Sequence, residues 1–361
     1  FNWQTPILLS SHNQDILYMG SEFLQRSMNQ GETWERISGD LTNGAKEGNV
    51  AFGTISTISE SKFQFGLLYA GSDDGKIHVS KDGGVSWQLI SGNLPQNLWV
   101  SRVVASSHKK ERVYVTLNGY RNDNFESYAF VSEDFGATWT SISNGLTQAV
   151  NVIVEDSANE NILYVGTDNG LFISVDKGAN WQDFSNGMPK VAIHDAVIQT
   201  KAKELIVGTH GRSIYKMDIS KVQELTKDVL AKNLHLFKVN DRTKSERWGS
   251  QNYAWGKPSE PSQTIWFYSN ADGIVNVSIT NEAGMLVHAQ KVEAKKGLNS
   301  FAYNYLLSKE VAEKWNKKDK NIKIKEAENK KFYLPVGKYK MTVSKDKVTE
   351  TKSFEVTAPK K

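Results

Sequence analysis

Apolar and polar residues alternate in short runs along most of the chain, and Gly, Asp, Asn and Ser break the runs at close intervals. An alternation of period two lays one set of side chains on each face of a strand, so the pattern predicts β-structure throughout. One group of four runs is clearest, at residues 150–154, 162–167, 171–174 and 181–184. Similar groups recur before it from Thr5 onward, and a fifth, at 192–199, 204–208 and 213–217, has no outer run. Residues 221–230 carry instead the apolar spacing of a short amphipathic helix. Beyond residue 262 the alternation returns at 264–269, 275–280, 285–289, 299–303, 337–343 and 351–356, around turns at 272–273, 282–284 and 334–337. That second series predicts a small β-sandwich.

The first four groups share a box: Ser27-x-Asn29-x-Gly31-x-x-Trp34, Ser80-x-Asp82-x-Gly84-x-x-Trp87, Ser132-x-Asp134-x-Gly136-x-x-Trp139 and Ser174-x-Asp176-x-Gly178-x-x-Trp181. Their starts lie 53, 52 and 42 residues apart. A period of that size built from strands predicts the blades of a β-propeller, with the box at the turn into each outer strand. Asn29, Asp82, Asp134 and Asp176 are expected to accept backbone hydrogen bonds inside their own turns, where Gly takes a positive φ. Trp then opens the outer strand and covers the blade edge. A device that recurs once per repeat belongs to the fold, so these residues are read as turn locks and not as catalytic carboxylates or calcium ligands.

The boxes resemble the Asp-box, or BNR, repeat of sialidases, sortilin-type receptors and propeller glycosidases. The flanking segments, Ile16-Leu-Tyr-Met-Gly20, Leu67-Leu-Tyr-Ala-Gly71, Ile162-Leu-Tyr-Val-Gly166, Asn118-Gly-Tyr-Arg121 and Val207-Gly-Thr-His-Gly-Arg212, narrow the likeness to the sortilin-like (Vps10-type) propeller proteins of bacteria. This resemblance covers residues 1–219 and implies the propeller fold; Asp boxes occur in enzymes and non-enzymes alike. Gly297-Leu-Asn299 and Leu334-Pro-x-Gly-x-Tyr339 resemble the immunoglobulin-like module that follows many bacterial extracellular propellers.

At 361 residues and 39% hydrophobic content the chain is long enough for two domains with sizeable cores. The expected division is propeller blades over 1–219, a short helix and aromatic linker packed across the propeller wall over 220–262, and an immunoglobulin-like sandwich over 263–361. A lysine-rich insertion near 308–331 is expected to be a solvated helix or loop. There is no cysteine, which removes disulfides and thiolate metal sites. No apolar run is long enough to span a bilayer, and the net charge of +4 gives little support for nucleic acid as a partner. Phe1-Asn-Trp-Gln-Thr-Pro6 has neither an initiator Met nor a signal pattern. With the fifth outer strand missing, the expectation is the C-terminal part of a larger ring, in which further blades or another subunit complete the arc. The implied location is the periplasm, the cell surface or the outside of a bacterial cell.

The connections on the face opposite the boxes carry the candidate chemistry. Trp99, Tyr120, Arg121, His210 and Arg212 are the expected ligand-binding residues, Tyr120 and Arg121 lying in what reads as a long third-blade loop with Asp123, Phe125 and Glu126. Asp73, Asp74, Asn97, Arg102, Asp168, His194 and Asp195 share that face. No metal site and no cofactor are expected, because the histidines have no third ligand at helpful spacing. Arg102, Arg121 and Arg212 invite comparison with a sialidase arginine cluster, but the Arg-Ile-Pro motif and the Tyr and Glu nucleophile pair of that family cannot be placed. Two functions stand: a non-catalytic propeller that binds a protein, peptide or glycan, and a glycoside hydrolase. An inverting hydrolase would need two acids roughly 6.5–9.5 Å apart, drawn from Asp73, Asp74, Asp123, Glu126, Asp168 and Asp195.

Overall fold

The computed structural model describes residues 1–44, 52–185, 187–251, 253, 255–319 and 322–359. They fall into two compact units, Phe1–Glu224 and Leu225–Lys361.

The first unit is a set of antiparallel propeller blades. Blade one is Ile7–Leu9, Leu17–Gly20, Leu24–Ser27 and Glu35–Arg36; blade two is Ile55–Glu60, Leu68–Ser72, Ile77–Ser80 and Gln88–Leu89. Blade three is Trp99–Ala105, Val113–Gly119, Asn124–Ser132 and Thr140–Ser141; blade four is Val150–Glu155, Leu163–Thr167, Gly170–Ser174 and Gln182–Asp183. Blade five has three strands, Ile193–Gln199, Glu204–Thr209 and Ile214–Asp218. Inner blades are buried on both faces: every residue of Leu68–Ser72 and of Leu163–Thr167 is buried. Outer strands are only two residues long, shorter than the alternation suggests, because each pairs with just two residues of the strand beside it.

Neighbouring blades are sealed by apolar clusters and, at alternate seams, by a buried acid. Between blades one and two, Glu60 accepts from Ser10 Oγ at 2.6 Å, the Ser11 amide at 3.2 Å and Tyr18 Oη at 3.0 Å. Between blades three and four, Glu155 accepts from Ser106 Oγ at 2.8 Å, the Ser107 amide at 2.6 Å and Tyr114 Oη at 3.0 Å. His12 and His108 repeat the pattern, each ring Nε2 meeting the carbonyl of the residue after the acid, Ser61 or Asp156. At the seam between blades two and three, Ala105 ends the strand where the acid would stand, and Tyr69 Oη is buried without a hydrogen-bond partner among the described residues.

The second unit is a β-sandwich of a three-stranded and a five-stranded sheet. The first orders Leu234–Leu236, Gln263–Ser269 and Gly297–Tyr303; the second orders Arg242–Thr243, Val348–Thr357, Gly337–Lys345, Gly273–Asn281 and Leu286–Ala294. Their inward sets, among them Phe267, Val277, Tyr339, Met341 and Phe354, form one core.

Three expectations change here. The helix read over 221–230 is two single turns, Ser220–Gln223 and Lys227–Leu230, because the Thr226 side chain accepts from the Val229 amide and starts a new helix. The segment read as a linker across the propeller wall supplies strands to the sandwich, and Trp248 packs against Tyr305 and Tyr333 in its core. The lysine-rich insertion is not simply solvated. Ser308 caps a helix, Lys309–Lys318, that buries Ala312 and Trp315, and Ile324 follows them inward. Two buried positions three residues apart make a stripe too narrow to stand out among lysines.

Candidate functional site

Each box closes on itself through bonds that span at most four residues. Asp134 Oδ1 accepts from the Thr138 amide at 2.9 Å and Oδ2 from Thr138 Oγ1 at 2.6 Å, while Ser132 Oγ donates to Asp134 and accepts from the Gly136 amide. Asp82 binds the amide and hydroxyl of Ser86, Asp176 the amide and side chain of Asn180, and Asn29 the amide and hydroxyl of Thr33. The box glycines have φ between 87° and 95°. The Thr138 hydroxyl, then Ser132, hold the Asp134 carboxyl at about 2. The Ser86 hydroxyl does the same for Asp82. A carboxyl whose pKa is lower folded than unfolded stabilises the fold above its ordinary value of 3.8, and that contribution disappears as pH falls toward about 2. The melting temperature is therefore expected to fall between about pH 4 and pH 2 less steeply in Asp134→Asn than in the parent, as followed by circular dichroism.

The box tryptophans do more than cover their own hairpins. Trp87 Nε1 donates to the Ile37 carbonyl at 2.8 Å, Trp139 Nε1 to Ile90 at 2.8 Å and Trp181 Nε1 to Ile142 at 2.6 Å, each acceptor being in the preceding blade. A Cβ on Gly84, Gly136 or Gly178 would run into the same three isoleucines. The box is thus a joint between blades. Trp34, in blade one, instead bonds the Gly31 carbonyl of its own turn and is exposed.

At the centre, all five first strands contribute to a cavity of about 400 Å³ whose wall includes Leu8, Ile58, Trp99, Arg102, Asn151 and Asp195. Arg102 Nη2 of blade three reaches Asp195 of blade five at 2.7 Å, a pairing the sequence reading did not make. Two donors on this wall, Trp99 Nε1 and Arg102 Nε, are buried without a partner among the described residues.

Trp99, Tyr120 and Arg121 come together as expected residues of one cluster. Tyr120 meets Trp99 edge-on with centroids 6.0 Å apart, and the Arg121 guanidinium lies 5.1 Å from the Trp99 centroid and 3.7 Å from Asp73. The long irregular loop expected around them is a 3-10 turn, Tyr120–Asn122, between two extended strands; Asp123 closes it at φ 54°, and Phe125 is exposed. His210 pairs with His194, ring centroids 5.1 Å apart, because the register sets Ile193 opposite Thr209. Burial, then the neighbouring His210, push His194 below the ordinary histidine value, against the pull of Asp168. Arg212 lies on an exposed turn and joins neither group.

The acids on this face are mostly committed to the scaffold. Asp73 accepts from the Thr54 amide and Asn2, Asp74 from Ser72 Oγ and the Asn43 amide, and Asp168 from Asn151, which Asn118 orients in turn. Asp195 is the one carboxylate among the described residues lining the cavity.

Residues 22–149 match the Sortilin-Vps10 family model, described as sortilin, neurotensin receptor 3. This stretch of the propeller is sortilin-like. It runs from the second strand turn of blade one through blade three. Among curated proteins no match is found. Solved structures similar to this chain include an ancestral GH74 enzyme, at 16% identity and TM-score 0.47 over 85% of this chain and 39% of that one. The GH74 xyloglucanase from Xanthomonas campestris aligns at 12% identity and TM-score 0.46, over 97% and 53%. YCF48 from Cyanidioschyzon merolae aligns at 15% identity and TM-score 0.39, over 58% and 65%. The chain thus spans less than two thirds of the length of each.

Proposed function

We propose that the bladed unit is a non-catalytic binding module that holds an extended, acceptor-rich peptide segment in the central cavity, outside the bacterial cytoplasm. The observation that carries this reading is the pair of buried, unpartnered donors, Trp99 Nε1 and Arg102 Nε, on a wall that mixes Leu8 and Ile58 with polar residues such as Ser56, Ser101 and Asn151. A buried N–H left without an acceptor is costly, and a turn of either side chain toward a peptide carbonyl or carboxylate in the cavity relieves it. The Trp99 ring face is already occupied by Arg121, which disfavours a sugar stacking there. Hydrolysis would need a second free acid facing Asp195, which Arg102 already neutralises. A core this large needs no disulfide, so the lack of cysteine does not count against export. Further blades, or another subunit, belong to this proposal as neighbours of the unit.

The test is a peptide panel screened on the immobilised chain, with Trp99→Phe as the variant that keeps the ring and deletes the donor. Affinity for captured peptides is expected to fall about tenfold, the scale of one buried hydrogen bond, at an unchanged melting temperature. Capture that is indifferent to Trp99→Phe, or release of reducing ends from a polysaccharide such as xyloglucan, would replace this reading. Alanine at Arg121 is expected to weaken capture as well, while alanine at the exposed Arg212 leaves it unchanged.

A further inference from the structure

In the sandwich, the strand Arg242–Thr243 pairs with Val356–Thr357, the Lys244 amide donates to the Thr357 carbonyl at 2.9 Å, and the Glu355 amide donates to Asp241. The backbone on both sides of Lys244 is thus fixed. Its side chain belongs to the wall of a cavity of about 320 Å³, which Trp248, Ile324 and Tyr333 also line. These three are anchored in turn. The rings of Trp248 and Tyr333 pack with centroids 5.9 Å apart, and the amide and carbonyl of Ile324 are both bonded by the Asn316 side chain.

Lys244 is half-buried, and among the described residues its ammonium makes no hydrogen bond or ion pair. Glu246, Glu326 and Glu328 line the same cavity, but none pairs with it, and Glu328 accepts from the Gln251 amide. Neighbouring lysines are answered. Lys345, more deeply buried, donates to Ser269 Oγ and to the Ala271 carbonyl, and Lys331 meets Glu260 at 2.6 Å. Taking water from an ammonium without supplying a countercharge favours the neutral amine, and burial accordingly holds Lys244 below the ordinary lysine value.

We infer that Lys244 is a covalent acceptor site, at which the amine condenses with an aldehyde of apolar or aromatic body to form an imine. The inference concerns the sandwich alone and goes beyond ligand capture by the blades. A lysine amine set in a partly apolar cavity is an activated nucleophile, and Trp248, Ile324 and Tyr333 offer the aldehyde's body an apolar surface beside it. In the condensation the Nζ lone pair makes the C–N bond while the carbonyl π pair moves to oxygen. Both amine protons end on that oxygen, which departs as water as the C=N bond closes. No oxidant or reductant takes part.

The test treats the complete 361-residue chain with benzaldehyde, at less than one equivalent, in the presence of cyanoborohydride. The reagent delivers hydride to the imine carbon and fixes the adduct as a benzylamine, which proteolysis and mass spectrometry then locate. The adduct is expected first at Lys244, several times faster than at exposed lysines such as Lys309 and Lys338. An amine reacts only when neutral, so the Lys244 rate should also level off at a lower pH than that of a lysine in a short unstructured peptide. Lys244→Arg keeps the positive charge and the backbone pairing; the fast adduct should disappear at a melting temperature near the parent's. Adducts spread evenly over the exposed lysines, or a fast adduct that survives Lys244→Arg, overturn the inference. Benzaldehyde that is retained by the cavity but never fixed to Nζ would make it a non-covalent site and overturn the inference too.

Discussion

Glu155→Ala is expected to lower the unfolding free energy of the bladed unit by about 3–5 kcal/mol, the scale of removing one partner from a buried ion pair. The Glu155 carboxylate and the Arg112 guanidinium are both buried, 1% and 6% exposed, at 3.4 Å. Arg112 would keep Glu133 at 2.7 Å and Glu160 at 3.1 Å, but those acids are half exposed and cannot replace a buried countercharge. Ser106, the Ser107 amide and Tyr114 would lose their acceptor in the same step. Burial, then the Glu155 charge, push the Tyr114 hydroxyl well above its usual value, so it remains a donor throughout the neutral range. Denaturant unfolding of the parent, Glu155→Ala and Glu155→Gln measures this. Glu155→Gln keeps an acceptor oxygen and should fall between the other two; an alanine variant as stable as the parent would show that the clamp is decorative.

Trp139→Ala is expected to cost about 3–4 kcal/mol, in the range for truncating a packed aromatic. It removes the indole that packs against the apolar cluster containing Ile90, and the 2.8 Å bond to the Ile90 carbonyl. Trp34→Ala supplies the internal comparison: the same residue of the same box, exposed and bonded only within its own turn, should cost under about 1 kcal/mol. Equal losses at the two positions would mean that tryptophan acts within its hairpin and not between blades.

What the sequence made legible follows the reach of each interaction. The Asp134 turn could be read because its bonds end four residues away, at Thr138. The partner of Trp139 could not, because Ile90 lies 49 residues upstream in another blade. Trp99, Tyr120 and Arg121 lie against one another, while His210 and Arg212, expected on the same face, lie apart from them, since strand direction fixes the side on which connections emerge but not their contacts. Arg102 and Asp195 were both on that face, but their pairing depends on how far the blades curl, which periodicity does not encode. The His194 and His210 contact was recoverable in principle: pairing 192–199 with 204–208 as a hairpin sets them side by side. Trp315 and Trp248 were misplaced because each is a single large apolar residue in polar surroundings, whose destination is decided by the core that has room for it.

The alternation of buried acids makes the propeller a duplicated pair as well as a run of single blades. Blades one and two share Glu60, and blades three and four share Glu155. The seam between the pairs has Ala105 in that place and an unanswered Tyr69 hydroxyl. The seam between the doublets is held instead by the apolar cluster that joins Leu67 and Tyr69 to Val100 and Val113 and by the Trp139 bond to Ile90, with no buried acid crossing it. Blade pairs, and not blades, then become the units that can be cut out, recombined or repeated without leaving a charge behind.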